Sequence, residues 1–234
     1  PVHWERGNKD ADIDGRMYPS VEWLAARGEL GDGPEGLPVP GRTANDTSPK
    51  DNSSGKAFFL TEYAHAMVNS MGNYAEYWDV FYRYGSLSGG CIWDWVDQAV
   101  WKRTGETGPD GRPERYLAYG GDWDEQPNDG PFNCNGVVDP MRRVSAKLVE
   151  VGHVHRNIVV REGGELENRF GFTFADELDG SWELAVDGVP ARRGPLAVPH
   201  VAPLSKGRVE LPQFDIEEGK EAFLNVSFSL REET

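Results

Sequence analysis

One stretch decides what this chain can fold into: residues 57–69, Ala-Phe-Phe-Leu-Thr-Glu-Tyr-Ala-His-Ala-Met-Val-Asn. The apolar run from Ala57 to Leu60 fits a strand buried on both faces, as in a parallel sheet. Polarity then switches at once, placing Glu62 at the strand's C-terminal end with Tyr63 and His65 close behind. In barrel and open α/β enzymes that end carries the catalytic groups. Glu62 is therefore a candidate catalytic carboxylate, as nucleophile or general base. The competing reading is a solvated surface charge, since the chain holds 39 acidic residues.

The flanking pattern agrees with a parallel sheet. Pro1–Glu5 reads as a short strand, and Asp12–Tyr18 as a second one ending near Met17-Tyr18. Ser20 is an N-cap for a helix through Val21, Trp23, Leu24 and Ala25. Residues 7–10 and 28–56 read as loops, the second long and rich in Gly, Pro, Asp, Ser and Thr. Tyr74, Trp78, Phe81 and Tyr82 share a helical face, with Asn73 or Ser70 as caps. Gly89-Gly90 is expected to break that helix, with a strand over Cys91–Val96, a long aromatic and acidic loop over Asp97–Asp139, and a helix over Ser145–His155. Alternating strands and helices predict about four parallel βα units, where a closed (β/α)8 barrel has eight. The strand ends Glu5, Tyr18, Glu62 and Trp93 then lie on one face.

After residue 156 the pattern changes to short runs. These are Ile158–Val160, Phe170–Phe174, Trp182–Val186, Arg208–Leu211 and Ala222–Phe228, with turn signals at Gly163-Gly164, Asp179-Gly180 and Asp187-Gly188. Such spacing predicts a β-sandwich of immunoglobulin-like type. The expected class is α/β plus all-β: the second half of a TIM barrel over residues 1–155, then an immunoglobulin-like β-sandwich over 156–234.

Composition excludes several functions. With 8 Trp, 8 Tyr and 10 Phe the chain is not a disordered one. A net charge of −15 speaks against nucleic acid and anionic membranes as partners and suits a neutral substrate. Cys91 and Cys134 make no disulfide framework or metal spacing and read as reduced thiols of a cytoplasmic protein. No apolar run approaches the ~18 residues of a membrane span. The opening Pro1-Val2-His3-Trp4-Glu5 carries no initiator Met, which suggests a piece of a longer protein.

Three further groups bear chemistry. Trp93, Trp95, Trp101, Trp123, Tyr18 and Phe132 crowd strand ends and loops, either as ordinary packing or as platforms for the apolar faces of sugars. The loop Pro127-Asn128-Asp129-Gly130-Pro131-Phe132-Asn133-Cys134-Asn135-Gly136 offers oxygen ligands for a hard cation, or is simply a Gly/Asn turn. His65 is either a structural histidine or a substrate contact, while His153 and His155 read as structural. Phosphate loops, dinucleotide fingerprints and the Gly-x-Ser-x-Gly elbow do not occur in the sequence.

The run Glu62-Tyr63-Ala64-His65-Ala66-Met67-Val68-Asn69-Ser70, followed by Gly89-Gly90-Cys91-Ile92-Trp93-Asp94-Trp95-Val96-Asp97-Gln98, resembles the large β-galactosidases of glycoside hydrolase family 2. Met17-Tyr18, Ala118–Asp122, Pro127-Asn128-Asp129 and Phe132–Gly136 match in the same order. The resemblance implies a retaining hydrolysis of terminal β-D-galactosides such as lactose, through a covalent galactosyl-enzyme. Glu62 falls on the nucleophile and Tyr18 on the tyrosine that hydrogen-bonds it. His65, Trp93 and Asn135 fall on substrate contacts. Phe132 and Asn135 fall on sodium ligands, and Asn128 on a second magnesium site. Mg2+ and Na+ are implied for the intact enzyme, which the resemblance makes a homo-oligomer.

Departures from the family pattern matter as much. The acid/base Glu, the main magnesium ligands and the carboxylate completing the sodium site belong upstream, in the first half of the barrel. Glu5 matches a different family position. The 28–56 loop is longer than its counterpart, and Val68 stands where glycine is usual. A chain without the proton donor is expected to be inactive alone, partnered by the missing half barrel. The rival readings are a non-catalytic carbohydrate-binding or assembly module, and a relative acting on another β-linked sugar.

Overall fold

The parallel sheet that residues 57–62 demand is present in the computed structural model, which describes residues 1–5, 10–32 and 56–231. Strands β1 (Asp14–Met17), β2 (Phe58–Tyr63) and β3 (Leu87–Ile92) lie in that order, all parallel. Helix α1 (Val21–Asp32) follows β1, and α2 (Tyr74–Arg83) joins β2 to β3. Among the described residues the sheet has three strands and is not a closed barrel.

One core explains these elements. Phe58 and Leu60 are fully buried, and Tyr63 nearly so. They pack with Trp23 and Leu24 of α1 and with Tyr74, Val80 and Phe81 of α2. Val151 and Val154 of α3 (Ala146–Val154) complete the cluster. Ser20 caps α1 as expected, its Oγ accepting from Trp23 N at 3.2 Å. Asn73 precedes α2 in a left-handed conformation and makes no side-chain cap bond. At the N-terminal edge of the sheet, buried Arg27 donates to Asp14 Oδ2 and to Lys56 O, both at 3.3 Å. This ties α1, β1 and the start of β2 together.

Several expectations need correction. Residues 1–5 form no strand, because the Val2 carbonyl accepts from Asp12 N (2.8 Å) and so turns back onto the chain ahead of β1. Gly89-Gly90 does not end a helix but lies inside β3, which stops at Ile92. A Cβ on Gly90 would stand 2.6 Å from Leu60 Cβ, so only glycine lets β3 approach β2 there. The 97–139 stretch is not a plain loop: it holds an antiparallel hairpin, β4 (Val100–Thr107) with β5 (Pro113–Ala118). The expected 28–56 loop begins later, since α1 runs to Asp32; the remainder, like the 7–10 loop except Asp10, lies outside the described residues.

Packing divides the chain between Val154 and His155. The second unit contains two antiparallel three-stranded sheets. One is ordered β10-β7-β6, from β6 (Ile158–Val160), β7 (Glu165–Asn168) and β10 (Ser205–Arg208). The other is ordered β11-β8-β9, from β8 (Leu178–Val186), β9 (Val189–Leu196) and β11 (Ala222–Leu230). Ile158, Leu166, Leu178 and Leu196 share one core, so both sheets contribute to it. Asp187-Gly188 forms the β8–β9 turn, with φ of 49° and 77°, as a two-residue hairpin of this twist requires.

Phe170–Phe174 is not a strand. Buried Asn168 turns the chain there, donating to Thr173 O, Val201 O and Ala202 O and accepting from Phe170 N at 3.0 Å. Asp179-Gly180 lies within β8, and the 208–211 run shifts back to Ser205–Arg208.

Burial raises the hydroxyl pKa values of Tyr63, Tyr74 and Tyr77 above the ordinary 10.0. Hydrogen-bonding to Tyr74 adds to the rise at Tyr63, and the charge of Glu22 adds to it at Tyr77. A folded-state pKa above the unfolded one contributes stability that is intact below pH ~10 and lost as pH climbs past it. The urea midpoint is therefore expected to hold between pH 8 and 9 and fall above pH ~10. Absorbance at 295 nm of the folded chain should then show these three and Tyr18, of its 8 tyrosines, titrating late.

Candidate active site

The site begins with an irregularity in β2. Phe58, Leu60 and Tyr63 all enter the same core, a spacing of two and then three that a flat strand cannot produce. Register against β1 passes from Arg16↔Leu60 to Met17↔Glu62, so two steps of β2 oppose one step of β1. The extra residue is a β-bulge, the device that re-aims a side chain at a sheet's end. It brings Glu62 beside Tyr18, the residue that follows β1.

Tyr18 and Glu62 are joined twice. Tyr18 N donates to the Glu62 carbonyl at 2.9 Å, and the Tyr18 hydroxyl is hydrogen-bonded to the Glu62 side chain. Partial burial, that bond and the Glu62 charge push the Tyr18 hydroxyl well above the ordinary tyrosine range, with the charge of Asp94 adding to it. Tyr18 therefore stays a proton-bearing donor to Glu62 at all working pH values.

His65 stands next to this pair. Its ring meets Tyr18 edge-on at 6.0 Å and Phe132 at 5.0 Å between centroids. Its Nε2 is a buried polar atom with no hydrogen-bond partner among the described residues. Trp93 is fixed by its backbone, accepting from Ala66 N (2.7 Å) and donating to Tyr63 O (3.0 Å). With the Asn135 amide assigned in the orientation that matches its neighbours, the Trp93 indole Nε1 donates to Asn135 Oδ1 at 3.0 Å and Asn135 Nδ2 donates to Asn133 O at 3.2 Å. Asp94 N donates to Asn135 O at 2.7 Å, and Asn135 is buried.

Tyr18, Glu62, His65, Trp93, Phe132 and Asn135 are thus linked in one constellation at the C-terminal edge of the parallel sheet. Asn128 is not part of that chain of contacts. Its Nδ2 donates to Glu125 O (2.9 Å) and its Oδ1 accepts from Gly130 N (3.1 Å), closing a turn of its own loop. Glu5 is held by the Thr61 hydroxyl. Sequence reasoning missed Asp97, whose Oδ1 accepts from Gly136 N at 2.6 Å and anchors the loop bearing Asn135. It also missed Lys147, which donates to Ala66 O at 2.5 Å. Asp97 lies in the Gly89–Gln98 run that carries the family resemblance, which was the available signal, while nothing in the sequence marks Lys147.

The oxygens fit a cation only in part. The Phe132 carbonyl and Asn135 Oδ1 are neutral hard donors of the kind sodium accepts. No three His, Cys, Asp or Glu side chains converge among the described residues, so these donors would supply part of a shell. Asn128, with both amide atoms engaged, offers one remaining lone pair.

Residues 1–160 match the family model "Glycosyl hydrolases family 2, TIM barrel domain", and residues 165–234 match "Beta-galactosidase, domain 4". The chain belongs to glycosyl hydrolase family 2. Among solved structures it is similar to the β-glucuronidase of Bacteroides uniformis, at 11% identity and a TM-score of 0.34. That match covers 94% of this chain, which spans 26% of that protein's length.

Backbone strain gathers in the loop behind Glu62, where Ala64, Val68, Met71 and Asn73 all have positive φ. Val68, at φ 55° and 75% exposed, is the costliest, being β-branched. Val68→Gly is expected to raise the unfolding free energy by about 1 kcal/mol in urea titrations, because relief of left-handed strain outweighs the added entropy of glycine. Val68→Ala keeps the Cβ and should gain less than half as much.

Proposed function

We propose that this chain is the nucleophile-bearing part of a retaining glycoside hydrolase, and that the whole protein is a β-galactosidase. The observation that carries the reading is the hydroxyl of Tyr18 on the carboxylate of Glu62, at the C-terminal edge of two parallel strands. Family 2 membership supports hydrolysis, while the domain 4 match and the Glu62–Ser70 motif support galactose as the sugar. Two sheets on a shared core support the immunoglobulin-like reading of residues 156–234.

The chemistry follows from the groups present. Glu62, ionised and oriented by Tyr18, attacks the anomeric carbon; the C–O bond to the leaving group breaks as the covalent glycosyl-enzyme forms. A second carboxyl group, about 5 Å away in retaining enzymes, protonates the leaving oxygen and then deprotonates the water that releases the sugar. We infer that this second carboxyl comes from the whole protein outside the present chain, since Glu5 is engaged by Thr61. The unpartnered Nε2 of His65 is placed to bond a sugar hydroxyl, and the Trp93 indole, fixed by Asn135, offers an apolar face. A sodium ion held partly by Phe132 O and Asn135 Oδ1 would orient a hydroxyl of the bound sugar.

In the whole protein, Glu62→Gln should lower kcat on a chromogenic galactoside by at least about 1,000-fold with the fold intact. Near-normal turnover sinks the assignment, and galactose binding by a whole protein that never turns over leaves the binding-module reading. Tyr18→Phe should lower kcat roughly 10- to 1,000-fold with a smaller change in KM, because the bond acts on the reacting carboxylate. This chain by itself is expected to show no hydrolysis.

A further inference from the structure

The β4–β5 hairpin is unlike the rest of the molecule. Nearly all of its residues are exposed, so it has no core of its own. On one face, Trp101 and Arg103 of β4 stand opposite Leu117 and Arg115 of β5. Arg103 and Arg115 are therefore direct cross-strand partners, and like charges so placed are destabilising. Neither guanidinium has a carboxylate partner among the described residues, although the chain carries 39 acidic residues. Of the hairpin's three acids, Asp110 lies 3.9 Å from Arg112, Glu114 accepts from Thr104 Oγ1 at 3.3 Å, and Glu106, whose N donates to Thr104 Oγ1 at 3.1 Å, pairs with neither arginine. Arg115 covers one side of the Trp101 ring at 4.3 Å, yet Trp101 remains 45% exposed.

The base of the hairpin is joined to the segment that carries Phe132 and Asn135. Gln98, two residues before β4, donates to Asn133 O at 2.9 Å and accepts from Asn133 Nδ2 at 3.2 Å. Asn133 sits between Phe132 and Asn135. The opposite face of the hairpin is anchored through Lys102, which bonds Asp122 O and lies 5.5 Å from the Trp123 ring. The base of the hairpin is thus fixed at the rim of the site, and its Trp101 face is free.

We propose that Trp101, Arg103 and Arg115 form a subsite for an anionic sugar, a residue carrying a carboxylate or sulfate on the leaving-group side of the scissile bond. Paired guanidinium forks bind either group bidentately, and the open indole face suits the C–H face of the same ring. The patch spans two strands and two residues along each, about 5 by 7 Å, the scale of one sugar ring. Two cations without a carboxylate partner among the described residues, on a chain of net charge −15, repel each other, and a bound anion removes that cost. The inference rests on the glycosidase reading only for the neutral sugar at the other end of the ligand.

The test is binding, read by tryptophan fluorescence and calorimetry on this chain and on the whole protein carrying Glu62→Gln. Three β-galactosyl disaccharides serve as probes, with glucose, glucuronate or a sulfated glucose at the reducing end. Both acidic probes are expected to bind at least about tenfold more tightly than the neutral one, with an advantage that shrinks as salt rises. A gain for only one of them assigns the subsite to carboxylate or to sulfate. The double variant Arg103→Gln, Arg115→Gln removes a repulsive pair and should fold; it is expected to level the three affinities, and Arg103→Glu should do the same by pairing Arg115. Equal affinity of all three probes for the unsubstituted protein overturns the proposal, even if Glu62 proves to be the nucleophile. An unchanged acidic preference in the double variant also overturns it. So does a double variant that alters only the sedimentation coefficient, which would assign the face to an acidic protein surface.

Discussion

The extra residue in β2 is the constraint on which the site depends. Without it, strict alternation from Phe58 and Leu60 would send Glu62, not Tyr63, into the core cluster. With it, Tyr63 takes the core position and Glu62 is turned outward beside Tyr18. Tyr63 in turn holds the rest: its hydroxyl accepts from Trp78 Nε1 at 3.0 Å, and its carbonyl accepts from Trp93 N. One bulge therefore sets the position of the carboxylate and, through the neighbouring carbonyl, that of the aromatic platform.

The site is held from two directions of unlike stiffness. Glu62 lies in β2 and Trp93 follows β3, two strands that share a buried core, while Tyr18 follows β1, which is held to β2 by the parallel ladder. Phe132 and Asn135 arrive on an irregular segment whose hold is polar. Asp94 and Asn135, Trp95 and Val138, and Asp97 and Gly136 exchange backbone or carboxylate bonds across it. A Cβ on Gly136 would lie 1.9 Å from Asp97 N, so the close approach needs glycine. Displacing that segment moves Asn135, and with it the indole of Trp93, without disturbing Glu62.

Where burial is one-dimensional along the chain, the sequence was legible. The apolar run to Leu60, the helical aromatic face of α2 and the Ser20 cap each report a local cause, and each element forms. The hairpin escaped because β4 and β5 are exposed on both faces and show no apolar alternation; its Pro109-Asp110-Gly111 turn was the available signal. Phe170–Phe174 misled for the opposite reason. Its alternating aromatics suit a strand, but the side chain of Asn168 captures the backbone groups that a ladder would use. Within the site, strand-end placement marked Glu62 and Tyr18. The partnership of Asn135 with Trp93 is a tertiary event between segments about forty residues apart, which no local pattern encodes.

Electrostatics ties the constellation to its chemistry. The group bonded to the Glu62 side chain is the hydroxyl of Tyr18, with the His65 ring packed edge-on against Tyr18. A hydroxyl donor orients the carboxylate without a salt bridge that would have to break during attack. Asp94 acts in the same sense, since its charge disfavours a tyrosinate at position 18 and so preserves the hydroxyl as donor. Arg103 and Arg115 stand on the hairpin, while Lys147 is engaged by the Ala66 carbonyl beside His65. On the proposed reading, the paired guanidinium groups of the hairpin meet whatever the sugar is joined to.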